Sequence, residues 1–589
     1  MLVILAVFLF VATWVGLRAW YVKGELEQAQ GLVTALRDQV AAGEYDGLTD
    51  AYAEVQGHTS TARGLADDPL WRATEHVPFL GPNLRVMREL ATIVDDAMVL
   101  AEPLVSLAGA WDTAFVPRDG KIPLEPFREA AADFPAVAEG FATLDEQLGS
   151  VRTAGTLGQV SAAHAQVADL VGKASSALAD AAPIVSRIPE ILGGDGPRTY
   201  VVMFQNNTEV RSLGGTALYF AEVVVDAGAI SPPNVIPAGL GNFEWYASPV
   251  GPVESGFEDI FPGRLGTFIP NATIRPSSLG AAQVVAAEWR RTFDKDIDGV
   301  ISMDSGALEA LLSALDPIAL STGDVVSSDN VVSLLFNEIY LRYNTGNNGA
   351  DNLSQNAVFS ETLTQTFSRV SSGQFDPVTL ATSMMDAGTA RRFSVWFADA
   401  GERDALARSP LRARDLPENT ATEDVVGVYL NDEAGSKLNY YLATTLTTGS
   451  AVCTPDGRQA RRLTLALTST LAPEAVPGLS PSVAGTRYAM HGLAKGDQRL
   501  LIFLYLPPGA DLLTASIGGE SVPLDVHNDS GHPVQALWLT LPPGGTVEVS
   551  ADALMAEPGE RALVTEVTPT VAGTALATAP LDCGTIALP

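Results

Sequence analysis

The chain has 589 residues, 47% hydrophobic and 18% charged, which excludes a disordered polypeptide and leaves apolar surface for several cores. Its 69 Asp and Glu against 36 Lys and Arg give a net charge of -33 with no sizeable basic run, which excludes nucleic acid as a partner. At roughly 150 residues per domain the length corresponds to about four domains, or three if one long helical region replaces two of them.

Residues 1–22 are apolar apart from Arg18, with Trp14, Trp20 and Tyr21 suited to a bilayer interface. This pattern predicts an uncleaved transmembrane signal-anchor, tying the chain to the cell membrane through one N-terminal helix. A secretory signal peptide is the rival reading, but there is no basic n-region and no clear small-x-small cleavage site. Arg18 and Lys23 follow the span and nothing basic precedes it, which by the positive-inside rule would hold the body in the cytoplasm. A short basic tail upstream of the given start would reconcile that bias with an outward-facing body.

Residues 23–190 carry helical spacing. Leu26, Ala29, Val33, Leu36 and Val40 recur at intervals of three and four, as do Val160, His164, Val167, Val171, Ala174 and Leu178. Pro78, Gly81 and Pro82, and then the segment 117–126, interrupt the run, which predicts a helical bundle or stalk. His164 reads as a packed helix-face residue.

Residues 195–400 change rhythm. Tyr200–Phe204 and Thr216–Val225 read as strands joined through a polar loop, with a turn at 226–229 into a third strand. A Pro- and Gly-rich stretch covers 231–266, followed by an amphipathic helix near 278–292 and a strand over Gly299–Met303. Asp304 or Ser305 is expected to cap a helix running through Leu315, and Ser328 or Asp329 another running to about Arg342. Alternating strands and helices predict an α/β domain.

A linker with Arg403, Arg408, Arg412 and Arg414 leads into residues 415–589, where short alternating runs punctuated by Pro and Gly predict an immunoglobulin-like β-sandwich. Both cysteines, Cys453 and Cys583, fall in this segment. An even count fits one disulfide and an oxidising, extracytoplasmic compartment; two buried free thiols are the alternative.

The polar segment Gln205-Asn206-Asn207-Thr208-Glu209-Val210-Arg211 follows an apolar strand, and ligands of open α/β sheets bind beyond the carboxyl ends of strands. Convergence of Asn206, Asn207, Glu209 and Arg211 with Asn271 and Arg275 of the 269–275 loop and with Arg342 would form an anion site. Three guanidinium groups there would suit phosphate or pyrophosphate. Alternatively, the asparagines cap turns and the arginines pair with surface acids. Asp525, His527, Asp529 and His532 have the chemistry of metal ligands, but Asn528-Asp529-Ser530-Gly531 equally reads as a hairpin turn, and no metal site is assigned. No Walker A motif, paired CxxC or G-x-S-x-G elbow is present, and no catalytic residue is assigned.

The run Gln205-Asn206-Asn207-x-Glu209-x-Arg211-x-x-Gly214-Gly215 resembles the signature of an uncharacterised bacterial envelope family, the domain of unknown function numbered four-zero-one-two. Asp68–Arg72, Val77–Gly81, Asp298–Ser302 and Ser436–Tyr441 extend the resemblance. It implies a membrane-anchored body outside the cell, in the envelope of Gram-positive bacteria. The middle domain is also similar in order of parts to the LytR-CpsA-Psr phosphotransferases, which attach glycopolymers to the cell wall from polyprenyl-pyrophosphate carriers. Where that family has Pro-Arg-Asp, this chain has Pro270-Asn271-Ala272, and its arginine-rich run is replaced by the arginine-free segment 347–355. Neutral amides do not offset pyrophosphate charge as arginine or a magnesium-bound aspartate does.

The expected function is therefore binding or scaffolding of an anionic envelope glycopolymer or a polyprenyl-linked precursor, without a cofactor. A glycopolymer phosphotransferase, with magnesium as its metal, is the alternative. A third reading makes the β-sandwich a protein-interaction domain.

Overall fold

A computed structural model describes residues 2–41, 47–109, 116–118, 120–239, 241–485 and 487–588. The chain forms two compact units. One holds Met1–Pro197 with the short segments Asp226–Ala229 and Asp404–Ser409; the other holds the remainder.

The first unit is helical: α1 (Leu2–Ala41), α2 (Leu48–Ala66), α3 (Pro69–Thr74), α4 (Gly81–Gly109), α5 (Glu125–Ser150) and α6 (Gly158–Val185). Val86, Leu90 and Ile93 of α4 meet Val137, Phe141 and Leu148 of α5 and Val171 and Leu178 of α6 in one core. His164 packs on α6, its Nε2 3.0 Å from the Leu148 carbonyl.

The transmembrane anchor expected over 1–22 is not supported, because no helix among the described residues is long and apolar enough to cross a membrane. Met1 and the side chains of residues 2–12 lie outside the described residues. From Thr13 onward, α1 packs part of its apolar surface into the bundle and leaves Leu17, Trp20, Tyr21 and Val33 exposed. Val15 and Val22 are buried with Ala62, Ala66, Trp71, Leu84 and Ala91. Arg18 donates to the Leu65 carbonyl and pairs with Asp68 at 3.3 Å.

The second unit begins with a six-stranded mixed sheet. Its strands are β1 (Arg198–Arg211), β2 (Gly214–Asp226), β3 (Ala229–Ile230), β4 (Asn234–Pro237), β5 (Gly299–Met303) and β8 (Phe393–Phe397), in the order β3-β2-β1-β5-β8, with β4 also pairing with β2. A small hairpin, β6 (Ile318–Ala319) and β7 (Val325–Val326), stands apart. β1 pairs parallel with β5 and antiparallel with β2. Helix α7 (Ser278–Phe293) is capped by Ser277, and α8 (Ser305–Leu312) by Asp304, whose carboxylate accepts from Ala307 N–H. The helix expected to start at Ser328 or Asp329 begins instead at Val331. It contains a π-turn over Leu334–Glu338, which carries the consecutive apolar residues Leu334, Leu335 and Phe336 into burial.

Two further sheets pack face to face. One has the order β14-β13-β17-β11-β10-β19 and the other β15-β16-β12-β9-β18. The first comprises β10 (Leu442–Val452), β11 (Arg458–Ser469), β13 (Asp511–Ile517), β14 (Glu520–Ser521), β17 (Thr546–Pro558) and β19 (Thr574–Thr578). The second comprises β9 (Glu423–Asp432), β12 (Gln498–Tyr505), β15 (Val526–Asp529), β16 (His532–Leu541) and β18 (Ala562–Val567). Each sheet carries a parallel pair, β10 with β19 and β9 with β18.

β12 explains why the sandwich and the α/β layer form one unit. Its side chains alternate across the pleat. Leu500, Ile502 and Leu504 enter the core between the two sandwich sheets. Leu501, Phe503 and Tyr505 enter a second core with Phe257, Ile274 and Trp289. A strand covered on both faces must be apolar throughout, as Leu500-Leu501-Ile502-Phe503-Leu504 is. Cys453 and Cys583 form the expected disulfide, with Cα atoms 5.3 Å apart, tying the C-terminal segment to the end of β10.

Candidate anion-binding cavity

The polar segment 205–211 is not a loop. β1 continues through it to Arg211, with bulges after Phe204 and after Asn206, and closes tightly onto β2. A Cβ on Gly215 would lie 2.1 Å from the Asn206 carbonyl carbon, so the hairpin demands glycine there.

Burial of these polar residues requires partners. Asn207 has none of its surface exposed. Its amide donates to Asp304 at 2.8 Å and to the Pro569 carbonyl at 2.7 Å, and its oxygen accepts from Ser305 N and Oγ at 3.0 and 2.8 Å. Asn206 folds onto Thr208, accepting from its backbone N–H at 2.9 Å. Glu209 pairs with Lys437. Burial works against the Lys437 charge, but Glu209 prevails and raises its pKa.

The expected trio of arginines is not assembled; each one serves a different set of acceptors. Arg211 donates to the Asp432 carbonyl. Arg275 is 5% exposed and grips Asp529, with Nε and Nη2 each 2.9 Å from a carboxylate oxygen, and Nη1 lies 3.3 Å from Asp415. Arg342 pairs with Asp324 at 2.6 and 3.0 Å. Asn271 donates to the Arg264 carbonyl within its own turn. Arg275 and Arg342 thus pair with carboxylates, whereas Arg211 meets a backbone carbonyl, and its Nε and the Asn206 amide nitrogen are buried without a hydrogen-bond partner among the described residues.

Asp529 and His532 face each other across the β15–β16 hairpin, where His532 Nε2 lies 2.7 Å from the Pro417 carbonyl. Among the described residues, no group of three or more His, Cys, Asp or Glu is placed to hold a metal ion.

A different site lies at the same end of the sheet. A cavity of about 390 Å³ opens where Gln205 of β1, Ser302 of β5 and Phe393 of β8 meet the sandwich strands β9 and β18. Gln205 donates to Ser302 Oγ at 2.6 Å. The rest of the wall contains Arg391, Arg392, Arg412 and Arg414, facing Glu423 and Glu566.

Local structure aims these arginines inward. α9 (Pro377–Thr389) ends beside the cavity; there Arg392 N–H bonds to the Ala387 carbonyl and Arg391 adopts a left-handed φ of 59°. Gly388 permits the close approach of the linker, since a Cβ there would meet Leu411 Cδ2 at 2.7 Å. The linker itself pairs with the edge of β8, through Val395 N–H to Leu411 O at 2.7 Å and Ala413 N–H to Val395 O at 2.9 Å. In this extended geometry Arg412 and Arg414, two residues apart, share a face at a spacing of about 6–7 Å.

The electrostatics separate the four. Arg392 is committed to Asp304 at 2.8 Å and the Thr570 carbonyl at 2.9 Å, and Arg391 to Glu566. Among the described residues, the guanidinium groups of Arg412 and Arg414 have neither an ion pair nor a hydrogen bond. Burial lowers the Arg414 pKa, and the like charges of Arg391 and Arg412 lower it further. Arg391 is likewise lowered, by burial first and by Arg412. Clustered guanidiniums lacking counter-charge provide an oxyanion site with fork geometry already in place. No His or Cys is among the described lining residues, whose acids are Asp415, Glu418, Glu423 and Glu566.

Residues 195–340 match a family model described as "Protein of unknown function (DUF4012)". The match covers β1 to β7 and takes in Gln205 and Ser302, while Arg391, Arg412 and Arg414 lie beyond it. No curated protein matches the chain. A crystal structure described as a "putative nutrient binding protein" from Legionella pneumophila aligns at 9% identity with a TM-score of 0.15, over 23% of this chain and 44% of the other.

The cavity arginines escaped sequence reading because Arg412 and Arg414 sit in a stretch that looks like a linker. Their i, i+2 spacing, the periodicity of an extended strand, is the signal that marks them.

Proposed function

We propose that the protein is an extracytoplasmic cell-envelope protein that binds an anionic envelope glycopolymer or a polyprenyl-linked precursor, and that the cavity at the end of the sheet receives the anion. One observation carries this reading: two arginines without an ion-pair partner among the described residues line an open cavity in a chain of net charge -33, in which carboxylates are abundant. The Cys453–Cys583 bond supports the oxidising compartment.

The resemblance of the middle segment to LytR-CpsA-Psr proteins supports a phosphorylated envelope precursor as the ligand. The same comparison argues against transfer chemistry. In the arginine-free segment, Asp351 is engaged by Thr345 N–H at 3.0 Å and Gln355 by the Tyr343 carbonyl at 3.0 Å, so both side chains serve local structure.

Calorimetric titration with inorganic pyrophosphate and with purified anionic envelope glycopolymer tests the reading. Wild-type protein should bind both, and Arg412→Ala/Arg414→Ala should bind neither. Equal binding by the double variant overturns it. Metal-dependent transfer from a polyprenyl-linked donor, lost in the same variant, would establish an enzyme in its place.

A further inference from the structure

The size and the acidic lining of the cavity say more about its occupant, on the premise that the reading above holds. An engineered cavity of about 150 Å³ takes one benzene, so about 390 Å³ has room for a single sugar ring with its charged group. The same lining also carries the acids Asp415, Glu418, Glu423 and Glu566 and the hydroxyls of Ser302 and Thr420. Glu418 has no hydrogen-bond or ion-pair partner among the described residues, and Glu423 accepts from Thr420 Oγ1 at 3.1 Å. Glu566, by contrast, accepts from Tyr429 Oη at 2.9 Å as well as pairing with Arg391.

Carboxylates repel a second anion but accept readily from sugar hydroxyls, each of which brings a donor. The lining thus carries guanidinium groups, from the linker and the end of the preceding helix, together with hydrogen-bond acceptors, Glu418 in the linker and Glu423 at the start of β9.

We propose that the cavity recognises one terminal hydroxylated anion, a sugar phosphate or sugar acid, with its charged group on Arg412 and Arg414 and its hydroxyls on Glu418 and Glu423. Recognition is then of a chain end or a single glycosyl unit. Polymer length contributes nothing.

The test is titration of the full chain with glucose 1-phosphate, glucuronate, inorganic phosphate and glucose. Either sugar anion should bind at least tenfold more tightly than phosphate, and glucose should not bind. Comparison of the two sugar anions assigns the charged group. The isosteric variant Glu418→Gln/Glu423→Gln, which keeps the cavity shape and removes two repelling charges, should lose that tenfold preference, with phosphate bound at least as tightly as by the wild type. Arg412→Ala/Arg414→Ala should lose all binding. Phosphate binding as tightly as both sugar anions, or affinity rising with oligomer length, overturns the inference while leaving the anion site standing. Failure of every anion to bind the wild type removes the site itself.

Discussion

Arg275, in the turn before α7, and Asp529, at the tip of the β15–β16 hairpin, meet in a two-pronged ion pair with both N–O distances at 2.9 Å and Asp529 fully buried. Tyr505 donates a third bond to the same carboxylate at 2.8 Å. Burial works against the Arg275 charge, but hydrogen bonding to Asp529 prevails and holds its pKa above the ordinary value. The pair joins residues 254 apart in sequence, beneath the core shared by the α/β layer and the sandwich.

Breaking this pair leaves an uncompensated buried charge. Arg275→Ala or Asp529→Ala should each cost about 3–5 kcal/mol of unfolding free energy. The double replacement Arg275→Met/Asp529→Leu should be much less costly, because neither charge is then stranded. Urea denaturation of the three variants decides. Equal losses in singles and double would show that the ion pair is not the source of the effect.

The disulfide permits a simpler test. Cys453 and Cys583 are 130 residues apart, and loops of that length lose the most chain entropy when closed. Cys453→Ser should lower stability by about 2–5 kcal/mol. Thermal unfolding of the wild type with and without reductant should show a shift of the same sign. No shift in either comparison would remove the bridge from the stability of the unit.

Buried acids determine how stability responds to pH. Glu288 has no exposed surface; burial pushes its pKa from 4.5 up to about 8, with the Ile269 backbone opposing. Asp432 is raised from 3.8 to about 7, again by burial first, with the Ser436 N–H and Arg211 opposing. The folded state holds these protons over a pH range in which the unfolded chain has released them. Stability therefore falls as pH rises, from about 3.8 to about 7 for Asp432 and from 4.5 to about 8 for Glu288. Each group contributes a slope of up to about 1.4 kcal/mol per pH unit. Glu288→Gln should flatten its share, so the variant gains on the wild type as pH rises to 8. Parallel stability curves across that range would show that Glu288 is not protonated when buried.

Legibility followed from burial and periodicity. Gly299–Met303 was readable residue for residue, because a short apolar run bounded by Asp298 and Asp304 has no other use, and the Asp304 cap was equally plain. Segment 205–211 misled because polar side chains mark loops only while they are solvated. Here Asn207 is sealed inside by Asp304, Ser305 and Pro569, partners lying about 100 and 362 residues away. The N-terminal apolar run matched a membrane span in composition, but Val15 and Val22 are buried in a core with residues of α2, α3 and α4, while Leu17, Trp20 and Tyr21 stay exposed. Composition alone cannot distinguish lipid from neighbouring helices. For the site, the end of β1 was the right neighbourhood, since Gln205 lines the cavity. The cations facing it come from a linker that becomes a strand edge only once β8 is in place.

The arginine cluster predicts a conflict between stability and binding. Arg412 and Arg414 repel each other and Arg391, and among the described residues neither Arg412 nor Arg414 is ion-paired with a carboxylate. Arg414→Gln should therefore leave the ligand-free protein as stable as the wild type, or more stable by up to about 1 kcal/mol, where loss of an ordinary buried residue would be destabilising. A bound anion reverses the ranking. At a hundred times its dissociation constant, a ligand adds about 2.7 kcal/mol to the folded state. Pyrophosphate should raise the melting temperature of the wild type and leave that of Arg414→Gln nearly unmoved, while sodium chloride at matched ionic strength should do little to either. A variant that melts lower without ligand and still gains from pyrophosphate would mean that Arg414 is part of the scaffold and that the anion binds elsewhere.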